Sequence, residues 1–215
     1  MKKLLTLTAL FLGISAGIYA QEYADKLKET FHAFNATQDY QEKVNQSNRL
    51  NLIAKKYSQD WVPAYYAGFS KVVLSYEEKD AAKKDAYLDD ADLLIEQATT
   101  LAGKPDDELY VLTAMAANAR LAVDPQKRWK KYGKIFEENL EKAKALNEEN
   151  PRIYYLKGTS LFYTPKMFGG GKKNAQPYFE KAAGYFEKED TSDINNPSWG
   201  KEINAYFLGE CKKED

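Results

Sequence analysis

The sequence predicts an all-α fold, a right-handed solenoid of helix pairs with about eight or nine helices, and three observations carry that expectation. Small and aromatic residues recur at a fixed distance: Ala54, Ala98 and Ala143 are spaced by 44 and 45 residues, and Tyr66, Tyr110 and Tyr154 by 44. A two-helix unit is legible over residues 150–182, where Tyr154 stands four residues before Gly158 and Ala175-x3-Phe179-x2-Ala182 sets two small residues and a ring on one helical face. Small residues at such points let two backbones approach, and the ring fills the groove between them. Finally, the chain has only 7 Pro and 12 Gly among 215 residues, its periodic segments are rich in Ala, Leu, Lys and Glu, and strand-like alternation is absent.

Taken in order, Met1-Lys2-Lys3, an apolar run from Leu4 to Ile18 and Tyr19-Ala20 before the polar Gln21-Glu22 read as a secretory signal peptide over residues 1–20, cleaved after Ala20. The run is short and broken by Thr, Gly and Ser, unlike a permanent span. Cys211 is the sole cysteine, so neither a lipid-bearing cysteine after the cleavage site nor an internal disulfide is available. A soluble periplasmic protein is expected, or a secreted one, with no membrane insertion once the signal is removed. Its mature net charge would be about −3 and no basic stripe stands out, so nucleic acid is not an expected partner.

Residues 21–215 then form one repeat domain. A first helix spans residues 22–34, with Tyr23, Leu27, Phe31 and Phe34 on one side. Thr37 is placed to cap a second helix that runs to about Ser58 and carries Val44, Leu50, Ile53, Ala54 and Tyr57. Pro63 starts the next helix. Three pairs follow around the repeating tyrosines, each with a small residue four positions on: Ser70, Ala114 and Gly158, with Gly68 an alternative packing residue in the first. Second helices carry Ala91-x3-Ile95-x2-Ala98, then Phe136, Leu140 and Ala143, then the Ala175 unit. Residues beyond an ordinary repeat length are expected in the connections at Glu77–Asp85, Asp124-Pro125-Gln126 and Thr164–Lys173. Lys188–Pro197 reads as a polar linker, and Ser198 caps a C-terminal helix near 198–212 in which Ile203, Phe207 and Cys211 recur every four residues and cover the open end.

These residues resemble the tetratricopeptide repeat: an aromatic then a small residue on the first helix, Ala-x3-aromatic-x2-Ala on the second, and Pro near the boundary. The period is longer than the usual ~34 residues. NPRIYYLKG, TP-x2-FGGGK and NPSWGKE are similar to segments of exported bacterial proteins of this class. The resemblance implies a concave groove lined by first helices, with Lys71, Met115, Asn118, Arg152, Tyr155, Thr159 and Tyr163 facing it.

Chemistry of other kinds finds little support. His32 is the one histidine, no catalytic constellation can be built around it, and one His with one Cys cannot supply a structural zinc site. Asp89, Asp90 and Asp92 lack the alternation and turn glycine of a calcium loop and begin a helix, where acids complement the dipole. No catalytic residue, metal or cofactor is expected. Gly169, Gly170, Gly171 and Lys172 form a candidate anion loop, although Gly-Lys-Lys is not the Gly-Lys-Ser/Thr of a phosphate loop. Two functions follow. One is a non-catalytic scaffold that binds a protein or peptide in the groove, with Arg152 and Tyr155 as contact residues. The other is a small-ligand or solute-binding accessory protein that uses the glycine-rich loop and an aromatic pocket.

Overall fold

Aspartate and asparagine start the helices of this chain, because a short acceptor side chain satisfies backbone N–H groups that the first turn leaves open. In the computed structural model, which describes residues 23–213, Asp39, Asp60, Asp80, Asp106, Asp124 and Asn150 each accept such a bond and open α2 (Tyr40–Lys56), α3 (Trp61–Glu77), α4 (Ala81–Ala102), α5 (Asp107–Val123), α6 (Pro125–Leu146) and α7 (Pro151–Tyr163). Ahead of them residues 23–36 form α1. A 3-10 turn (Lys166–Phe168), α8 (Lys172–Phe186) and α9 (Lys201–Cys211) complete the chain. No strand occurs among the described residues. The expected signal peptide lies outside them.

The helices stack in pairs at the expected period, α3 with α4, α5 with α6 and α7 with α8, and α3, α5 and α7 adjoin one another along one face. Ala54, Ala98, Ala143 and Ala182 are all buried, as are Ile95, Leu140 and Phe179 between them. The first-pair alternative is decided by geometry. A Cβ on Gly68 would lie 3.4 Å from Ile95 and Leu94 of α4, whereas Ser70 faces α2 and shares a 2.8 Å hydrogen bond with Ser47. Gly158 is tighter still: a Cβ there would stand 2.8 Å from the Phe179 ring. Gly158→Leu is therefore expected to cost about 1–3 kcal/mol of stability through overpacking, read by chemical denaturation.

Several local expectations are corrected. Asp39, not Thr37, caps α2, since the Thr37 hydroxyl accepts from the Asp39 N–H and stays outside the helix. In the first two pairs the extra length is not in the connections but in the second helices, α4 and α6, at 22 residues each, whereas in the third it is in the expected connection, which carries the 3-10 turn ahead of a 15-residue α8. Asp80 caps α4 at once, and Asp124 alone joins α5 to α6. The last helix starts at Lys201 rather than Ser198, behind Gly200, whose φ of 101° only glycine adopts readily. On it Phe207 turns inward as expected, but Ile203 is exposed and Asn204 takes its place; Asn204 donates to the Phe179 carbonyl at 3.0 Å and Phe207 stacks on the Phe179 ring at 5.4 Å.

Candidate functional site

The face formed by α3, α5 and α7 is divided by the chain itself. Residues 188–200, which follow α8, cross the end where these helices begin and hold there by named contacts. The Tyr66 hydroxyl donates to the Ile194 carbonyl at 3.0 Å, Tyr23 donates to Asn195, and Arg152 donates to the Pro197 carbonyl at 2.5 Å. Trp199 is only 7% exposed; its indole N–H donates to the Tyr65 hydroxyl at 2.7 Å and its ring packs 4.8 Å from Phe69. The expectation of an unstructured polar linker is thereby corrected: Ile194 and Trp199 give the segment apolar anchors, and its carbonyls satisfy buried donors.

Arg152 is the centre of this strap. It is 1% exposed, donating to Glu108 at 3.0 Å and Glu189 at 2.6 Å, with its guanidinium 5.3 Å from the Trp199 ring. Glu108 in turn accepts from Tyr65 at 2.8 Å and Asn150 at 2.6 Å. Burial pushes the Glu108 carboxyl up to about 7, against the opposing pull of Arg152 and Tyr65. Arg152 therefore clamps the chain's own strap and does not face an open groove. Tyr155 is buried beside it, with Trp199 edge-on at 6.2 Å, and burial pushes its hydroxyl up to about 12. A cleft of about 390 Å³ opens next to the clamp, its walls mostly polar and charged, including Asp107, Asn147, Glu149 and Lys188, with Trp61 and Tyr185 among them.

The other expected groove residues separate. Lys71 is turned away from this face, buried against α4 with its ammonium 3.8 Å from Asp90 and 5.6 Å from the Tyr87 ring. Met115 is buried and its carbonyl accepts from the Tyr76 hydroxyl at 3.2 Å, while Asn118 on the same helix stays half-buried. Thr159 uses its hydroxyl on the Tyr155 carbonyl, 2.9 Å away in its own helix. Tyr163 alone of the set is open, at 71% exposure.

Tyr163 stands among other exposed rings. Its ring meets Phe162 at 5.3 Å and Phe207 at 5.9 Å, and Tyr206 stands 5.4 Å from Phe207. Tyr206 is 58% exposed, and on the turn that follows α7, Met167 is 82% and Phe168 71% exposed. The loop and α9 share this end of the molecule, as Lys172 donates to the Lys213 carbonyl at 3.4 Å.

Gly169, Gly170 and Gly171 shape that loop but hold no open anion nest. Their N–H groups already donate to the carbonyls of Lys166, Pro165 and Leu161. Gly169 and Gly171 have positive φ, and a Cβ on Gly170 would lie 2.0 Å from the Thr164 oxygen, so all three glycines are needed to turn the chain. The acidic run is likewise taken up, with Asp89 and Asp92 bonded to Arg120 at 2.6 and 2.7 Å. Among the described residues no group of three or more His, Cys, Asp or Glu is placed to hold a metal ion.

Sequence reasoning overlooked Trp199, Glu108, Tyr76 and Tyr206. The signal for the first was present: Trp199 and Ile194 are large apolar residues in a segment that is otherwise polar. The others had none, because one exposed and one buried polar side chain on a helix look alike in sequence.

No protein-family model matches the chain, and no curated protein matches it. Among solved structures it is similar to the HusA haemophore from Porphyromonas gingivalis, with a TM-score of 0.76 and 32% identity over 88% of this chain and 92% of that one.

Proposed function

This chain belongs to the family of the HusA haemophore, and from that premise we propose that it is an exported, non-catalytic binding protein whose ligand is haem or a similarly flat, apolar ring system. The observation that carries the reading is the exposed aromatic end of the stack. Tyr163, Tyr206, Met167 and Phe168 offer ring faces and a soft thioether to solvent. Flat apolar ligands gain from stacking on such surfaces. Tyrosine oxygen and methionine sulfur are also among the atoms that ligate haem iron, and Lys166, Lys172 and Lys173 bring positive charge to the same loop for the ligand's carboxylates.

This favours the small-ligand reading over a peptide in the concave groove, because the strap fills the end of that groove where Arg152 and Tyr155 stand. The residues are nonetheless not those of an enclosed pocket, and the ligand would lie on an open face.

Titration of the purified protein with haemin, followed by the Soret band, tests the proposal. Tyr163→Ala combined with Tyr206→Ala is expected to weaken binding by about 2 kcal/mol, roughly 30-fold, while the melting temperature stays put. Equal affinity in the wild-type and double-variant proteins would place the ligand elsewhere. A wild-type protein that leaves the Soret band unchanged would end the haem reading.

A further inference from the structure

The start of α6 departs from what a helix wants for its own stability. Residues 127–134 read KRWKKYGK, five cations with no acid, in a chain of 31 basic and 32 acidic residues overall. They lie in the first turns of the helix, where the macrodipole disfavours positive charge, whereas α5 opens with Asp107 and Glu108. Packing does not ask for them. The side of α6 that faces the core is Phe136, Asn139, Leu140 and Ala143, and Lys127, Lys130, Lys131 and Lys134 are exposed. Arg128 is different, being held in a two-pronged bond with Asp85 at 2.6 and 2.7 Å.

Beside the lysines stands Trp129, 56% exposed. Gly133, four residues on, lies on the same side of the helix and adds no side chain beside the indole, whose ring has the Lys130 ammonium 5.5 Å from its centroid. No packing demand accounts for that glycine, since a Cβ on it would meet nothing nearer than Leu121 at 3.8 Å. A glycine inside a helix costs about 1 kcal/mol relative to alanine. An exposed indole, a helical glycine that no packing contact requires and four lysines on adjoining turns thus break three local rules at one place, the mark of a surface kept for a partner.

We propose that this segment docks the protein on the surface of an anionic lipid bilayer, with Trp129 at the headgroup level and Lys127, Lys130, Lys131 and Lys134 over the lipid phosphates. Lysine and tryptophan together fit that surface: the indole is amphipathic and settles at the interface, and each lysine adds attraction to negative headgroups. A protein partner fits less well, as lysine is depleted in protein contact surfaces. The patch spans only about two helical turns, roughly 11 Å, too short a track for nucleic acid. The docking is peripheral; no helix among the described residues is long and apolar enough to cross a membrane.

Flotation with phosphatidylcholine vesicles, with and without 30 mol% phosphatidylglycerol as a chosen probe composition (~30% anionic lipid, enough to set a negative surface potential), tests the proposal. The wild-type protein is expected to float only with anionic vesicles and to be released as salt is raised. Lys130→Glu with Lys131→Glu should lower vesicle binding more than tenfold, and Trp129→Ala several-fold, with melting temperatures and haemin titration unchanged. Equal flotation of the charge-reversed and wild-type proteins, or flotation on phosphatidylcholine alone, overturns it. So does capture of the wild-type protein by immobilised polyglutamate without any binding to anionic vesicles, which would assign the patch to an acidic protein. Because haemin binding is read separately, failure here leaves the ligand reading standing, and the reverse.

Discussion

Replacing Arg152 with alanine is expected to destabilise the protein by about 3–5 kcal/mol, a large share of the roughly 5–15 kcal/mol that keeps a domain folded. The substitution leaves Glu108 buried without its cation, frees the Pro197 carbonyl and removes the guanidinium between Trp199 and Phe186. Most of the loss comes from the stranded carboxylate, so Arg152→Met together with Glu108→Leu should be far milder than Arg152→Ala alone. Urea unfolding of the three proteins decides this. An Arg152→Ala protein as stable as wild type, with only its binding impaired, would restore the reading of Arg152 as a residue offered to a partner.

Trp199→Ala should cost a similar amount, about 3–5 kcal/mol, because it empties a site between Phe69, Tyr155 and Tyr65. Its consequences are local in a way those of Arg152 are not. Hydrogen exchange is expected to quicken across residues 188–200 first, as the strap loses its anchor, while α3 to α6 keep their protection. Since the strap leads through Gly200 directly into α9, haemin affinity should also fall, through the displacement of Tyr206. Uniform loss of protection over the whole chain would mean that the strap and the repeats unfold as one unit. A protected strap in the variant would mean that Trp199 is not what holds it.

The pairs of helices were legible because their signal is periodic and local. Ala54, Ala98 and Ala143 are small because two helices must approach, and that need recurs every 44 residues or so whatever the rest of the chain does. Family membership makes the fold class firm, though the tetratricopeptide resemblance itself is matched by no family model. The site was legible only in part. Tyr163 was named and stands open, and the glycine-rich loop was singled out although its glycines serve the turn. Arg152 and Tyr155 were read as exposed on the pattern of an empty groove, and Lys71 as facing it.

What the sequence by itself determined is therefore the set of helices, their pairing and the residues buried between pairs, consequences of hydrophobic period, whereas the caps expected at Thr37 and Ser198 gave way to Asp39 and to a start behind Gly200. Only the tertiary structure decided which part of the first-helix face is free. That depends on residues far apart in the chain meeting in space: Tyr23 with Asn195, Tyr65 with Trp199, Glu108 with Arg152 and Arg152 with Pro197. A strap without periodicity carries no local signal of where it lands. Its position is set by buried donors and ring faces on other helices, which need its carbonyls and its indole to be satisfied.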